Sequence, residues 1–383
     1  MRQDESFSTR LDGGAAATYL SADNGSAMDG AGHLFETALV PRRVGNLETE
    51  LTWLRVAGAT IPMTRNEGRR HTNYVCCPSA AYLDYAVDEL RHFSAHPWLK
   101  AGLHGLIEAC RPLMRASGLD RQVQPNNWLV STNLLPDLSL ADIAAVTGDL
   151  VRQWPGHAVV WRSLNDGPTR DLKQRFEAAG YRAFASRRIY LFDCRNDPPR
   201  VGRDERRDRA HLGRGDYAVT DGPWTAADFE RMAWLYQKLY LDKYTWLNPV
   251  YTADFLAGAA GSGLLSFVGL RSGDGHLDGV IGFFERGDTL TAPVVGYDTG
   301  LPAEAALYRR LMAVALGRAR ASGRLYNMSA GAAAFKRHRG GVAALEYMMV
   351  YDRHLGLGRR WAAAGVRALV NGIGIPLLRD FEL

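Results

Sequence analysis

Three runs decide the fold: Leu264–Leu270 (LLSFVGL), Gly279–Glu285 (GVIGFFE) and Leu290–Asp298 (LTAPVVGYD). Each is short, rich in β-branched and aromatic residues, and bounded by glycine, aspartate or serine, which is the pattern of buried strands. Arg286-Gly287-Asp288-Thr289 turns the second run into the third as a hairpin. Upstream, Tyr217–Thr220 reads as a short strand. Thr225–Tyr244 (TAADFERMAWLYQKLYLDKY) reads as a helix with Met232, Leu235 and Leu239 at helical spacing, and a second helix follows near Thr252–Ala260. Downstream, the pattern predicts a long helix over Pro302–Ala321 with proline in its first turn and Gly323 after its end. A strand at Leu325–Met328, a short helix at Ala332–His338 and a strand at Leu345–Tyr351 follow, then a last helix at Arg359–Val370. The resulting order is βααβββαβαβ.

The first half is less regular but ends alike, with strand His157–Ser163, helix Thr169–Ala179 and strand Arg188–Asp193. We therefore expect an α/β (α+β) fold of two tandem units, each a mixed central sheet flanked by helices. The boundaries expected are a flexible leader over 1–46, a first domain over 47–195, a basic linker over 196–215, a second, catalytic domain over 216–355 and a helical tail over 356–383. The leader is rich in glycine, alanine and serine, and the linker combines a proline pair with seven arginines against four acids between Cys194 and Gly215.

Composition sets further bounds. The chain has 383 residues, 46% of them hydrophobic, and a net charge of +5, which excludes a disordered or collagen-like protein. No sustained apolar run approaches a bilayer-spanning length and the N-terminus lacks a secretory signal, so a cytoplasmic protein without a membrane partner is expected. Cys76, Cys77, Cys110 and Cys194 show no metal-ligand spacing, so no metal and no disulfide framework is expected. Of the 46 basic residues only five are lysines.

The order of elements and several segments resemble a known family. Tyr326–Gly341 (YNMSAGAAAFKRHRGG) is similar to the stretch of the Fem peptidyl transferases in which a strand ends in small residues and a helix carries Phe-Lys ahead of a glycine. Asn126–Pro136 (NNWLVSTNLLP), Trp161–Asn165 (WRSLN), Ser186–Asp193 (SRRIYLFD), Lys243–Leu256 and Glu346–Leu355 (EYMMVYDRHL) also resemble this group, which is a tandem form of the GNAT acyltransferase fold with members in natural-product pathways. The similarity covers roughly residues 51–355. It implies acyl transfer to an amine, with aminoacyl-tRNA or acyl-CoA as donor.

Between strand and helix, where CoA-dependent relatives carry a glycine-rich phosphate cradle, this chain reads Tyr297-Asp298-Thr299-Gly300-Leu301-Pro302-Ala303-Glu304. Pro302 removes an N–H donor, and Asp298 and Glu304 place negative charge where pyrophosphate needs positive potential. Arg353-His354-Leu355-Gly356-Leu357-Gly358 matches such a cradle by letters but follows the final strand. The reading therefore favours aminoacyl-tRNA as co-substrate, with no bound cofactor. Acyl-CoA, a carrier-protein thioester, and a non-catalytic tandem fold that binds a ligand remain alternatives.

Lys336 is the expected oxyanion or leaving-group stabiliser, and Asp298 and Tyr297 would orient or deprotonate a small-molecule amine. Tyr244, Asn248, Tyr251, Glu285 and Ser329 form the expected acceptor set. Arg206, Arg207, Arg337, His338 and Arg339 would meet the phosphates of a donor such as tRNA. Each has a plainer role open to it: a solvated lysine, an N-cap at Asp298, loop packing, or a solvated basic turn. Oligomeric state is not encoded in any of these features.

Overall fold

The computed structural model describes residues 18–20, 44–68, 73–92 and 96–380. All twelve of its strands join one sheet, in the order β1-β2-β3-β4-β5-β12-β6-β11-β10-β9-β8-β7. In the first half, β1 (Thr18–Leu20) pairs with β2 (Glu50–Val56), which forms a hairpin with β3 (Ala59–Glu67). Two helices, α1 (Tyr85–His92) and α2 (Pro97–Ser117), precede β4 (Arg121–Pro125). Then α3 (Leu140–Gln153), β5 (Ala158–Asn165), α4 (Arg170–Ala178) and β6 (Arg182–Asp193) alternate. After α5 (Arg203–Leu212) the second half repeats the theme with β7 (Tyr217–Thr220), α6 (Ala226–Tyr236), α7 (Ala253–Gly261), β8 (Ser266–Ser272), β9 (Leu277–Arg286) and β10 (Thr289–Tyr297). It continues with α8 (Leu307–Ser322), β11 (Leu325–Asn327), α9 (Ala333–Arg337) and β12 (Val342–Tyr351), and ends with α10 (Leu357–Leu369) and α11 (Ile375–Asp380). The expected class, a mixed sheet flanked by helices, is what the chain forms.

Two features of the sheet position everything else. The last strands are exchanged: β12 lies between β5 and β6, and β6 lies between β12 and β11, so each half closes on a strand of the other. Each half also contains one short parallel pair. β4 runs beside β5 only at Gln122↔Ala158 and Val123↔Val159, and β10 beside β11 only from Thr289↔Leu325 to Thr291↔Asn327. Beyond Thr291, β10 continues to Tyr297 without a parallel partner because β11 ends at Asn327, and this break in the ladder is the β10–β11 gap. Helix α6 presses on β10 at Gly296, where a Cβ would stand 2.6 Å from the Tyr236 nitrogen; only glycine permits that approach.

Several expectations are corrected. The expected leader over 1–46 includes residues that join the fold: Thr18–Leu20 extends the sheet, and Val44 and Leu47 are buried, Val44 bridging to Tyr251. Residues 1–17 and 21–43 lie outside the described residues. The linker over 196–215 contains helix α5, packed on α8 and fixed by two fully buried acids. Glu205 accepts from Arg320 at 2.8 and 2.9 Å, and Asp208 accepts from Arg339 at 2.5 and 3.0 Å. Charge density suggested solvation, and partners more than a hundred residues away supply the pairing that burial requires. The helix expected from Pro302 starts at Leu307, because a short 3-10 turn and Ala306 in the left-handed region (φ 51°) intervene. The first-half hairpin, α1 and α2 were not read from the sequence. Among the described residues one helical run, Leu357–Arg379, is long and apolar enough to cross a membrane by length and composition alone, its most apolar 18-residue window having a mean hydropathy of 1.4. In the fold α10 lies along α2, with Gly365 against Leu113 and Arg359 donating to the Ser117, Gly118 and Gly156 carbonyls.

The Arg339–Asp208 pair yields a direct test. Asp208→Ala leaves a buried guanidinium without its carboxylate and should lower the unfolding free energy by about 3–5 kcal/mol. Denaturant titration of the wild type and variant measures it, and Asp208→Leu combined with Arg339→Met should recover most of the loss.

Candidate functional site

The exchange of β6 and β12 sets Arg187 directly across from Glu346 in the antiparallel register. The Arg187 Nε donates to Glu346 Oε1 at 2.7 Å, and its Nη2 donates to the Ser131 carbonyl at 2.7 Å and Thr132 Oγ1 at 2.8 Å. Burial works against this guanidinium, but the Glu346 carboxylate outweighs it and holds the Arg187 pKa above its ordinary value. On neighbouring β5, Arg162 donates to the carbonyls of Val75 and Ser131 at 3.1 and 3.3 Å, and burial pulls its pKa below the ordinary range. Both arginines thus depend on the turn after β4. That turn is stiff: Asn126 and Leu129 adopt positive φ, Asn133 Oδ1 accepts from the Trp128 N–H at 2.9 Å, and Tyr251 Oη donates to the Leu129 carbonyl at 2.8 Å.

These side chains floor a cavity of about 900 Å³. Gln122 and Gln124 on β4 complete the polar floor. The walls come from α1 and its preceding π-turn Ala80–Asp84, from α2, and from the C-terminal helices around the π-turn Val370–Gly374. They are largely apolar, through Leu83, Leu103, Ile107, Met114, Val370 and Leu377. Helical π-turns widen a helix locally and occur often at functional sites; here two of them shape one cavity. Tyr244, Thr245, Ala330 and Gly331 close it from the second half.

The turn Met328–Ala332 after β11 links this cavity to the gap between β10 and β11. Lys336 Nζ donates to the carbonyls of Met328, Ser329 and Ala330 at 2.6, 3.1 and 2.7 Å. Ser329 and Ala332 adopt positive φ, and Ser329 Oγ lies 3.3 Å from Thr132 Oγ1, so a hydrogen-bonded chain runs from the turn through Thr132 to Arg187 and Glu346. On the gap side, Tyr308 packs between Tyr297 and Phe335, with ring centroids 6.1 and 4.9 Å apart.

The expected site residues are thus dispersed among several roles. Lys336 is no solvated lysine: it is 4% exposed, and all three of its protons are committed to the turn, which makes it a positioning residue in this geometry. Ser329 lies in that turn and Tyr297 on the gap. Asp298 accepts from Arg231 at 2.8 Å and from the Gly300 N–H at 3.0 Å, so it caps a turn away from the cavity. Tyr244 lines the cavity, whereas Tyr251 and Asn248 are buried struts, Asn248 donating to the Tyr240 and Thr245 carbonyls. Glu285 pairs with Arg318 and Arg324 and does not line the cavity. The phosphate set does converge, since α9 adjoins α5, but Arg339 is buried in its pair with Asp208 and does not face a donor. His338 lies 3.6 Å from Asp204, Arg206 donates to the Val201 carbonyl, and Arg207 and Arg337 are exposed. Arg162, Arg187, Glu346, Gln122 and Gln124 were not singled out, although the first three lie in segments that carry the family resemblance.

No protein-family profile matches the chain, and no curated protein matches it. Among solved structures, it is similar to L-PGS from Bacillus licheniformis, with 13% identity over 63% of this chain and 78% of that one and a TM-score of 0.43. FemX shows 8% identity over 60% of this chain and 81% of its own, with a TM-score of 0.43. A GCN5-related N-acetyltransferase from Kribbella flavida shows 11% identity over 61% and 81%, with a TM-score of 0.31. Similarity this slight assigns no activity to the chain, whose own side chains must carry the reading.

Burial, with Arg187 nearby, pushes the Lys336 ammonium down to about 7, while its three carbonyl acceptors favour the protonated form. A lysine depressed in the folded state binds fewer protons there than in the unfolded chain, so its contribution to stability falls as pH drops from about 10.5 to 7 and is level below. The difference in unfolding free energy between wild type and Lys336→Met, measured by denaturant titration across that window, should therefore decline toward pH 7. A flat difference would mean that the carbonyls restore the ordinary lysine value.

Proposed function

We propose that the protein is an amide-forming acyltransferase in which the cavity holds the amine acceptor and the β10–β11 gap receives the acyl donor. The observation that carries this reading is the turn Met328–Ala332, which follows β11 where the gap opens and whose Ala330 and Gly331 also line the cavity. Two reactants entering from opposite sides meet there, and the Lys336 clamp fixes that meeting point before either arrives. The neutral amine attacks the acyl carbonyl, the new C–N bond forms, and the ester or thioester bond to the leaving group breaks. Glu346 Oε2, which has no hydrogen-bond partner among the described residues, takes the proton from the attacking nitrogen, and the proton passes on to the leaving group.

An aminoacyl-tRNA donor is favoured by the approach to the gap. Asp298 and Glu304 lie before α8, Ala306 distorts its start, and the cationic Arg310 turns inward to Asp216 at 2.7 and 2.8 Å. These features suit pyrophosphate poorly. Close by, aromatic side chains with basic neighbours are offered to solvent: Tyr244 beside Lys243, exposed Trp246, and Trp234 under Lys238, which pairs with Asp242, and Arg231, which pairs with Asp298 and Asp278. Such side chains suit a single-stranded nucleotide end, where bases stack and cations follow the phosphates.

Incubation of the full chain with charged tRNA or with CoA thioesters, in the presence of a panel of amines, should give amide products by mass spectrometry from charged tRNA. Glu346→Gln should lower kcat by about a hundredfold, beyond the stability that Arg187 loses with its counter-charge, which denaturant titration of the same variant measures. Products from CoA thioesters alone would replace the donor, and no product from either would end the acyl-transfer reading.

A further inference from the structure

The cavity is polarised from one side to the other. Its carboxylates and guanidiniums are Arg162, Arg187 and Glu346 on the strands of the floor, and Asp88 and Glu89 on the α1 wall; two guanidiniums against one carboxylate leave the floor at +1, and two carboxylates leave the wall at −2. The positive end is satisfied from within. Arg187 pairs with Glu346, and Arg162 has the Val75 and Ser131 carbonyls, the Tyr74 ring with its centroid 5.7 Å from the guanidinium carbon, and the field of Glu346. The negative end is not. Asp88 accepts from Thr245 Oγ1 at 2.5 Å and meets the largely exposed Arg91 at 3.3 Å, whereas Glu89 has no hydrogen-bond or ion-pair partner among the described residues. Glu89 is open to the cavity, yet the protein around it pushes its carboxyl up to about 7 by desolvation, with no cation beside it to oppose the shift.

Tyr85, Asp88 and Glu89 stand at i, i+3 and i+4 on α1 and so share one face. Tyr74 packs edge-on against Tyr85 with ring centroids 5.3 Å apart, and both rings line the cavity together with Tyr244. Carboxylates set among aromatic rings are the surroundings in which proteins hold an organic cation. The floor supplies an independent sign of a ligand. Glu346 Oε2, Gln122 Oε1 and Gln124 Nε2 belong to cavity-lining side chains no more than 2% exposed and have no partner among the described residues, although buried polar atoms are normally paired. Two of the three accept and one donates, so a neutral amine, which does both, answers them all.

We propose that the acceptor is an alkyl diamine or longer polyamine, bound with its reacting nitrogen neutral over the floor and its far nitrogen as an ammonium beside Glu89 and Asp88, among the rings of Tyr74, Tyr85 and Tyr244. The proposal rests on the acyl-transfer reading only for the fate of the near nitrogen. Arg162 and Arg187 disfavour a proton on a nitrogen at the floor, which leaves it nucleophilic, while the wall carboxylates favour one on the nitrogen beside them. Between the two ends Leu103, Ile107 and Val370 give the methylene chain dispersion contacts and no competing hydrogen bonds. A carboxylate at the far end would face two like charges, and a plain alkyl end would leave Glu89 unpaired.

Binding is measured without turnover. Isothermal titration of the full chain at about pH 8, where carboxylates and alkylammonium ions are both charged, compares hexane, octane and decane diamines with the monoamine, the terminal amino acid and the alcohol of each length. At one length at least, the diamine should bind one-to-one and about tenfold or more tighter than the monoamine, with the amino acid weaker than either. Glu89→Gln should cut that advantage to the roughly twofold that two equivalent ends give by statistics alone. Glu89→Lys should place the amino acid ahead of the diamine. Tyr244→Leu, which keeps both carboxylates and removes a ring, should weaken the diamine more than the monoamine and keeps the test decisive if the Glu89 variants do not fold. An advantage of no more than about twofold at every length, an amino acid that binds as tightly as the diamine, or an unchanged preference in Glu89→Gln overturns the proposal. Diamine preference without amide formation from either donor leaves it standing and ends the acyl-transfer reading; acylation of monoamines without any preference for a second charge does the reverse.

Discussion

The antiparallel pairing of β6 with β12, from Val342↔Leu191 to Val350↔Arg182, is the constraint on which the rest of the molecule depends. It joins the halves into one sheet and selects which side chains share a face. Successive residues of a strand point to opposite faces, so a slip of one position would carry Arg187 or Glu346 to the other side of the sheet. Desolvating this pair is unfavourable in itself. The Ser131 carbonyl and Thr132 hydroxyl, together with the cross-strand contact, use donors that the guanidinium would otherwise leave unmet, which is the condition under which a buried ion pair is tolerated.

Rigidity at the candidate site comes from backbone held in uncommon conformations. Asn126, Leu129, Ser163, Ser329 and Ala332 all have positive φ without being glycine, and they lie in the turns and strand that surround the polar floor. Such conformations persist where the surroundings over-determine them. Asn127 and Asn133 brace the first turn through their side-chain amides, and Lys336 braces the second by drawing three carbonyls toward one nitrogen. The two braced turns touch through Ser329 and Thr132, so the halves meet at their stiffest points.

Much of the second half was legible in the sequence because its strands and helices carry clean local periodicity, as in Gly279–Glu285 and in the helix that starts at Thr225 with a capping box to Asp228. The mixed α/β class followed from that. The first half resisted because α2 carries Gly102, Gly105 and Pro112 within it, residues that locally oppose a helix, although Leu103, Ile107 and Met114 recur at helical spacing toward the cavity. Helix α5 was misread for another reason: its buried acids, Glu205 and Asp208, find their arginines at 320 and 339, and no local pattern announces so distant a partner. Lys336 was singled out on resemblance and rarity, and its burial beneath the turn was invisible to both. Arg162, Arg187 and Glu346 lay within segments already noted, but their meeting depends on strand exchange, which one-dimensional order does not express.

The exchange also has a consequence for how the chain is made. β6 is complete at Asp193, whereas β12, which must lie between it and β5, begins only at Val342, roughly 150 residues later. At about 5–20 residues per second, the ribosome delivers that strand some 7–30 s after its two neighbours. Until then β5 lacks a partner on one edge, and β6, whose neighbours β11 and β12 are both made later, lacks one on each. The order of synthesis therefore makes the closing of the sheet a late, long-range event, and the cell must keep those edges from pairing with anything else until the tail of the chain emerges.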